Sequence, residues 1–469
     1  MKSRKKQFWA LILLVGDIII VPFSYMVAHF IRFGNFNEIS IKVPPVYLFW
    51  MTLGYITVLY FFDLYSLEES YLRLGVFINL ISGVFVSAVL VSFINYGLFL
   101  EPIGRGIFVL ANIFILILVF SLRLLCYYLF QHFRKAKRVL IVGAGRSGKE
   151  IFKIIRESQE DFFILGFLDD DPSKQKEYST SDGDIKVIGG TDKLLEIFKE
   201  EKIDQVIIAA STERNPYLSE NLLRVRMGGA EVLEMPELYQ QIKGRIPINF
   251  IPDKWFLKAK GFDWSEKSGM VKVKRFLDIL ISILLLILTI PAWLFIALLI
   301  KLNSKGPVFY TQQRLGKNDK PFTLIKFRSM IHRAESELPQ WAEENDARIT
   351  SVGRILRSLH IDELPQFLNV LKGDMSLVGP RPERPMFVQE FKKKIPYYSL
   401  RHFLKPGLTG WAQVNYPYAS SLEDSIKKLE YDLYYIYHMT LLLDLNILLM
   451  TAQNVLLRNK RKAIKRNAD

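Results

Sequence analysis

Long apolar runs with almost no charge dominate the N-terminal part of this chain, and they limit its fold more than any other feature. Four runs approach or exceed the ~20 apolar residues that a helix needs to cross a bilayer. They extend over Phe8 to Phe30, Val46 to Phe62, Leu74 to Leu100 and Ile107 to Phe130. These runs predict an integral membrane protein in which residues 1–132 form a four-helix transmembrane region.

Charged residues around and inside these runs predict their orientation. Basic residues flank the region at 2–6 and at 134–138, which by the positive-inside rule places both ends on the cytoplasmic side. Asp17 and Arg123 lie at membrane depth, where an ionisable side chain is costly and often functional. The interpretation favoured here is structural, with each side chain pairing to a neighbouring helix or reaching the interface.

Composition restricts the classes of partner without selecting one. The 62 Lys and Arg exceed the 47 Asp and Glu and give a net charge of +15, which suits anionic lipid, nucleic acid or phosphorylated substrates alike. The single cysteine, Cys126, lies in an apolar run. It excludes a disulfide framework within one chain, and the soluble parts are therefore expected in a reducing compartment.

A fifth apolar run, Ile279 to Ile300, lies far from the others and contains Pro291. Proline removes a backbone donor and crowds the preceding turn, so a kink or break is expected there. Basic residues flank this run on both sides, and both flanks should prefer the cytoplasm. The pattern favours a re-entrant membrane helix at about 276–302 over a kinked spanning helix.

The segment between the two membrane regions carries a glycine motif, KRVLIVGAGRSGKEIFKII. Gly143, Gly145 and Gly148 follow a buried strand and open a helix, the context in which a backbone turn approaches a pyrophosphate. Strand and helix patterns then alternate and predict a Rossmann-like α/β domain at 133–250, followed by a linker at 251–271. This domain could bind a nucleotide or a CoA-type ligand. Alternatively, it could keep the fold of a nucleotide-binding domain without binding a ligand.

Two further patterns leave redox chemistry open in this part of the chain. An acidic residue among Asp169, Asp170 and Asp171 stands near the position of a ribose contact. Tyr239 and Lys243 form the Tyr-x-x-x-Lys pattern used by short-chain dehydrogenases. The alternative functions are a membrane-bound NAD(P)-dependent nucleotide-sugar dehydratase or epimerase, and a non-enzymatic assembly scaffold.

The C-terminal part contains an acidic pair in the stretch HIDELPQFLNVLKGDMSLVGPRP. The pattern predicts a helix in which Asp362 caps the first turn, Pro365 fits that turn and Gly373 ends it. At the positive end of a helix dipole, Asp362 and Glu363 are expected to stay ionised. Such carboxylates can attack phosphorus or hold Mg²⁺ against a diphosphate.

Cationic side chains surround this pair in the sequence and could bind phosphate. The two prolines and the glycine of the GPRP turn are expected to fix Arg381 in a rigid loop. Solvated faces or lipid headgroup contacts are the alternative, and they suit the basic C-terminal tail best. The cationic residues are Arg314, Lys326, Arg328, Arg354, Arg357, Arg381 and Arg384.

The motifs of the C-terminal part together resemble those of a known family. Residues from about 272 onwards resemble the bacterial sugar transferase domain of monotopic polyprenyl-phosphate glycosyl-1-phosphate transferases. With its N-terminal helices and middle domain, the chain resembles the large subfamily that initiates exopolysaccharide, capsule or O-antigen synthesis. The matching motifs are KRFLDILIS, GPVFYTQQRLGKNDKPFTLIKFRSM, RSLHIDELPQFLNVLKGDMSLVGPRPERP, LKPGLTGWAQVN and KLEYDLYYI.

The resemblance implies a mixed α/β catalytic domain at 272–469 and a two-step reaction. Asp362 would attack the sugar-bearing phosphate of a UDP-sugar and release UMP, and undecaprenyl phosphate would then take the sugar phosphate. Glu363 and Asp362 would hold Mg²⁺. Lys326, Arg328, Arg357 and Arg381 would bind phosphate, while Asp374 and Asp432 would be supporting acidic residues.

The resemblance also implies a location and partners. The chain would be a multi-pass protein of the bacterial inner membrane, in contact with membrane lipids, with its soluble domains in the cytoplasm. No nucleic acid partner is expected, a homodimer is left open, and the sugar is not identified. One departure concerns the membrane hairpin, because Ile290 stands where the family often has Ser before the proline. Thr289 is the candidate to replace it.

Overall fold

A computed structural model gives the architecture of the chain, which forms two compact units. The first unit contains residues 1–144 and 152–233, and the second contains 145–151 and 234–469. The basic tail beyond residue 457 lies outside the described residues. The described residues are 4–34, 45–62, 64–65, 67, 74–98, 104–132, 136–158, 162–174, 186–209, 216–251, 253–263, 267–331, 346, 348–416 and 421–456.

Four apolar helices open the first unit, as predicted. They are α1 (Arg4–Phe33), α2 (Pro45–Phe61), α3 (Leu74–Leu98) and α4 (Arg105–His132). Helices α1, α3 and α4 are long and apolar enough to cross a membrane, whereas α2 is shorter, with 17 residues. Tyr25, Leu59 and Ile115 are among the residues of their shared core.

The two charged residues predicted at membrane depth pair with each other. Arg123 Nη1 and Nη2 donate to the two Asp17 carboxylate oxygens over 3.0 and 2.8 Å. Tyr65 also donates its hydroxyl to Asp17 (2.7 Å), and Arg123 Nε donates to the Leu64 carbonyl (3.2 Å). Both charged side chains are fully buried. The expected structural pairing is therefore confirmed.

A five-stranded sheet with parallel pairing follows the helices. The strands are β1 (Lys137–Val142), β2 (Phe162–Leu168), β3 (Val187–Gly189), β4 (Gln205–Ile208) and β5 (Glu231–Glu234), in the spatial order β3-β2-β1-β4-β5. Strand β1 is parallel to β2 and β4. The helices are α5 (Arg146–Glu157), α6 (Leu194–Glu201) and α7 (Pro216–Met227). A parallel α/β sheet is confirmed, while its nucleotide-binding role stays a prediction.

Two of the acidic residues near the predicted ribose position accept hydrogen bonds from neighbouring loops, and the ribose contact stays a prediction. Asp169 accepts the Ala144 amide of the glycine loop over 2.7 Å. Asp170 accepts both the amide and the hydroxyl of Thr191, over 2.6 and 2.8 Å. These carboxylates fasten the loops at the ends of the strands to one another.

The second unit begins before the predicted linker and includes it. It contains α8 (Met235–Lys243), α9 (Asp253–Lys258) and the long helix α10 (Ser268–Asn303). Trp255 of α9 stacks on the Tyr437 ring with centroids 5.7 Å apart, and Arg245 pairs with Glu430 (3.4 Å). The segment predicted as a linker therefore packs on the C-terminal domain that follows it.

The remaining elements of the second unit surround a small set of strands. An antiparallel hairpin, β6 (Phe309–Leu315) and β7 (Pro321–Phe327), lies beside a short parallel pair, β8 (Ser376–Val378) and β9 (Gly407–Thr409). The helices are α11 (Ser351–Ser358), α12 (Gln366–Lys372), α13 (Pro385–Lys394), α14 (Trp411–Asn415), α15 (Leu422–His438) and α16 (Leu441–Leu456). The mixed α/β content predicted for this domain is present.

Helix α10 carries Pro291 inside an unbroken helical assignment of 36 residues. The helix thus continues through Pro291 without a full break, and the predicted kink and re-entrant course stay predictions. Thr289 Oγ1 donates to the Leu285 carbonyl (2.7 Å), not to the Ile287 carbonyl that the proline deprives of its donor. The compensation expected of Thr289 is therefore not made.

Both ends of α10 are held by polar contacts, while its centre is exposed and apolar. Near the start, Lys274 pairs with the buried Asp444 (2.6 Å). At the other end, Arg328 donates to the carbonyl of Ser304, directly after the helix (2.7 Å). Leu288 and Leu294, near the proline, are 73% and 81% exposed. An exposed apolar surface of this kind suits a lipid environment.

Candidate active site

The acidic pair lies in a 3₁₀ turn, Ile361–Glu363, rather than in the first turn of α12. His360 enters the turn with a left-handed φ of 56°, and no side chain caps α12, which starts after Pro365. The predicted cap by Asp362 is therefore wrong, because the 3₁₀ turn precedes the helix and Pro365, which has no side-chain oxygen, stands at the cap position. Gly373 ends α12 with a φ of 96°, as predicted.

Glu363 is clamped by two cations. Lys326 of β7 and Arg381 of the GPRP turn donate to the same oxygen, Oε1, over 2.6 and 3.0 Å. Burial alone would raise the pKa of Glu363, but Lys326 and then Arg381 more than offset it and hold the pKa well below its usual range. The structure thus brings together three residues that the sequence predicted for this site.

Asp362 has a different environment from its neighbour. Its side chain is buried, with 7% exposure, and its carboxylate makes no hydrogen bond to the part of the chain that the structure describes. Burial raises its pKa above the ordinary value, although Lys326 and Arg357 act in the opposite direction. The predicted stabilisation of the ionised form by a helix dipole is therefore not what governs Asp362. Paired carboxylates with diverging pKa values are typical of sites where the two have different roles.

Backbone hydrogen bonds hold the turn that carries Arg381. Four consecutive carbonyls of this turn, from residue 380 to residue 383, accept hydrogen bonds of 2.9–3.1 Å from three other segments. The donors, in carbonyl order, are the Gly407 amide, Arg401 Nη2, Arg314 Nη1 and the Leu315 amide. Arg381 is therefore presented from a rigid backbone, as its prolines predicted.

Arg401, which the sequence reasoning missed, connects this turn to Asp432. Its guanidinium pairs with the Asp432 carboxylate (2.8 Å), donates to the Tyr398 hydroxyl (2.6 Å) and donates to the Arg381 carbonyl (2.9 Å). Burial raises the pKa of Asp432 to about 6, against the effect of Arg401. Asp432 is thus connected to the Arg381 turn through Arg401. In the sequence, the only sign that Arg401 is buried is that Phe403 and Leu404 follow it closely.

The other predicted residues lie in different places. Arg328 caps the end of α10 by donating to the carbonyls of Ser304 (2.7 Å) and Lys305 (3.1 Å), and the structure does not bring it to the acidic pair. Arg357, at the end of α11, influences Asp362 through its charge. Asp374 follows α12 and pairs with Lys372 (3.3 Å).

The tyrosine of the dehydrogenase-like pair is buried. Tyr239 lies in α8 with 2% exposure, and the Arg245 guanidinium stands over its ring at 5.6 Å from the centroid. Burial raises the pKa of Tyr239 far above its usual value. The alternative of redox chemistry at this pair stays a prediction.

A divalent cation fits this site only with help from a substrate. Among the described residues, no group of three or more His, Cys, Asp or Glu side chains is placed to hold a metal ion. Mg²⁺ often takes one or two protein carboxylates and completes its shell with phosphate oxygens and water. The carboxylate of Asp362 and the second oxygen of Glu363 fit that role.

The support of Arg381 by Arg401 predicts a loss of activity without a loss of fold. In Arg401→Lys the positive charge beside Asp432 remains. The planar guanidinium, which contacts Asp432, Tyr398 and the Arg381 carbonyl at once, is lost. We expect the turnover rate to fall by about tenfold or more with a thermal unfolding midpoint close to that of the wild type. The exposed Arg224→Lys is the matched control, and unchanged turnover in Arg401→Lys would contradict the positioning role.

The fold and the site define a membrane-associated α/β protein. Its acidic pair lies beside a lysine and an arginine, the residue types that commonly bind phosphate. The family described as bacterial sugar transferase matches residues 269–458, and the chain belongs to this family. A family described as a CoA-binding domain matches residues 60–227.

Two relatives whose names state an activity are similar to part of this chain. A UDP-N-acetylgalactosamine-undecaprenyl-phosphate N-acetylgalactosaminephosphotransferase of Aeromonas hydrophila is 48% identical over 39% of this chain and 44% of its own length. A UDP-glucose:undecaprenyl-phosphate glucose-1-phosphate transferase of Xanthomonas campestris pv. campestris is 35% identical over 58% of this chain and 57% of its own length.

An uncharacterized sugar transferase of Bacillus subtilis (strain 168) is 44% identical over 39% of this chain and 87% of its own length. The chain spans only about half the length of the first two relatives.

Proposed function

We propose that this protein transfers a hexose 1-phosphate from a UDP-sugar to undecaprenyl phosphate and releases UMP. The observation that most supports this proposal is the difference between the two acidic residues. Lys326 and Arg381 bind Glu363, whereas Asp362 has no hydrogen-bond partner among the described residues. The names of the relatives, which act on UDP-N-acetylgalactosamine or UDP-glucose and undecaprenyl phosphate, support the same reaction.

The proposed reaction has two displacements at one phosphorus. An Asp362 carboxylate oxygen attacks the phosphorus that bears the sugar, and the bond to the bridging oxygen breaks so that UMP leaves with the electron pair. A phosphate oxygen of undecaprenyl phosphate then attacks the same phosphorus and expels the carboxylate. The product is the diphosphate-linked sugar, the type of product that initiates exopolysaccharide, capsule or O-antigen synthesis.

The chain's own residues would supply the electrostatics of both steps. Lys326 and Arg381 lie where a phosphoryl group next to Asp362 would place its charge, and such a clamp is the main requirement of phosphoryl transfer. Glu363 orients both cations. When bound by Asp362 and Glu363, Mg²⁺ would neutralise charge on the diphosphate.

The proposed location is the bacterial inner membrane, with the C-terminal domain on the cytoplasmic side. The exposed apolar centre of α10 supports insertion into lipid. A straight helix of 36 residues would be about 54 Å long, yet residues of one compact unit bind both of its ends. A re-entrant course bent at Pro291 would place both ends at one membrane surface. A homodimer stays a prediction.

A coupled assay tests this function. We expect the full chain in lipid nanodiscs to release UMP from UDP-glucose or UDP-N-acetylgalactosamine when undecaprenyl phosphate and Mg²⁺ are present, and EDTA to stop the release. Lipid-independent conversion of the sugar, with bound NAD(P), would instead indicate a dehydratase or epimerase. The absence of UMP with every UDP-sugar tried would contradict the proposal.

A further inference from the structure

Lys428 lies on the face of α15 that supports the Arg381 turn. It precedes Asp432 by four residues, and side chains with this spacing share one face of a helix. Asp432 pairs with Arg401 (2.8 Å), and Arg401 donates to the Arg381 carbonyl (2.9 Å). Lys428 therefore belongs to the same buried corner as the residues that hold Arg381.

The Lys428 ammonium is not committed to a protein partner in this corner. Its side chain is half-buried, and within the described ranges it makes no hydrogen bond or ion pair. The charged groups that face it are Glu383, Arg381, Arg401 and Asp432. Burial lowers the pKa of Lys428, with Glu383 acting in the opposite direction.

Each carboxylate of this corner has an arginine within 4 Å. Asp432 pairs with Arg401 (2.8 Å), and Glu383 lies 3.7 Å from Arg314. A half-buried ammonium that makes no hydrogen bond or ion pair of its own is stabilised when an anion reaches it. Beside Arg381, the anion with the matching chemistry is a phosphate group, to which lysine binds as a point charge.

We infer that Lys428 binds a phosphate oxygen of the substrate held at Arg381, as a third cation beside Arg381 and Lys326. This inference rests on the proposed function and names a further residue of the same site. Two sources share the required chemistry, the diphosphate of the nucleotide sugar and the phosphate head of the polyprenyl lipid. The two substrates can be varied independently, so kinetics distinguish these sources.

The experiment compares Lys428→Met and Lys428→Arg with Lys427→Met in the full chain in nanodiscs. Lys427 is the matched control because it is the adjacent lysine, is exposed, and places its ammonium over the Tyr416 ring at 5.7 Å. Loss of one charge-assisted contact should raise KM for the substrate that Lys428 binds by about tenfold. Lys428→Arg should restore most of the affinity, and Lys427→Met should behave as the wild type.

The affected substrate identifies the source of the phosphate. A rise in KM for the UDP-sugar alone assigns Lys428 to the diphosphate, and a rise for undecaprenyl phosphate alone assigns it to the lipid. Direct binding of UDP, measured by calorimetry, provides a test that does not depend on turnover. If Lys428→Met lowers UDP affinity in a protein that releases no UMP, the inference stands and the proposed function fails.

Other outcomes would overturn the inference. If wild type and Lys428→Met have equal KM values for both substrates and bind UDP equally, Lys428 binds no phosphate, although the proposed function is untouched. Equal losses in Lys428→Met and Lys428→Arg, together with a lowered thermal midpoint, would show a packing role and also overturn it. A wild-type chain that neither binds UDP nor releases UMP would overturn both.

Discussion

Replacing Asp362 with Asn is expected to lower UMP release by about a thousandfold or more, because the amide cannot act as the nucleophile at phosphorus. The substitution changes few atoms, and it leaves the ion pairs of Glu363 with Lys326 and Arg381 in place. Purified variants should therefore fold as the wild type does. The measurement is the initial rate of UMP release from a UDP-sugar with undecaprenyl phosphate in nanodiscs.

The control for this variant is an acidic residue outside the site. Glu390 of α13 is about half exposed and pairs with Lys394 one turn away, so Glu390→Gln should keep the wild-type rate. In cells, an Asp362→Asn strain with a normal protein level should lack the polymer. A strain that still made polymer would favour the scaffold interpretation, and full activity of the purified variant would exclude Asp362 as nucleophile.

Removing either member of the Asp17–Arg123 pair is expected to destabilise the helix bundle strongly. Asp17→Leu leaves the fully buried Arg123 guanidinium without its carboxylate, and an uncompensated buried charge typically costs about 3–5 kcal/mol. We expect a sharp fall in the yield of monodisperse protein and in the thermal unfolding midpoint. The pair joins α1 to α4, so the loss should affect the whole bundle.

The double variant Asp17→Leu with Arg123→Met separates charge from packing. Because both charges are gone, we expect it to recover most of the stability lost in either single variant. The readout is a double-mutant cycle on thermal midpoints in one detergent. A single variant as stable as the wild type, or a double variant that merely adds the two losses, would contradict the account of the pair.

Sequence patterns predicted the parts of this fold that depend on local composition. The apolar runs predicted α1 to α4, and the glycine loop with its flanking strand predicted the parallel sheet. Within the site, Lys326, Glu363 and Arg381 were predicted together. Their residue types suit phosphate chemistry, and their motifs resemble those of one family.

The parts that the sequence did not predict depend on contacts between distant residues. The 3₁₀ turn at 361–363 follows from the left-handed His360 and from the ion pairs of Glu363, and neither appears in a local helix pattern. Arg328 could not be distinguished from a phosphate-binding arginine by residue type alone, and Arg401 was not predicted to belong to the site. Arg328 binds carbonyls at the end of α10, and Arg401 binds a carbonyl of the Arg381 turn.

The membrane helix shows the same limit. Pro291 predicted a kink or break, since proline removes one hydrogen bond and crowds the preceding turn. The helix continues through Pro291, and partners distant in sequence bind the residues near its two ends. Lys274 pairs with Asp444, which follows it by 170 residues. Such partners are visible only in the folded domain.

The most direct test of the proposed mechanism is the mass of the intact protein after incubation with a UDP-sugar and Mg²⁺ in the absence of undecaprenyl phosphate. The account predicts a species heavier by one sugar phosphate, located by peptide analysis at Asp362, absent from Asp362→Asn, and lost when undecaprenyl phosphate is added. An unmodified protein that still releases UMP when the lipid is supplied would show a direct displacement and contradict the covalent role of Asp362.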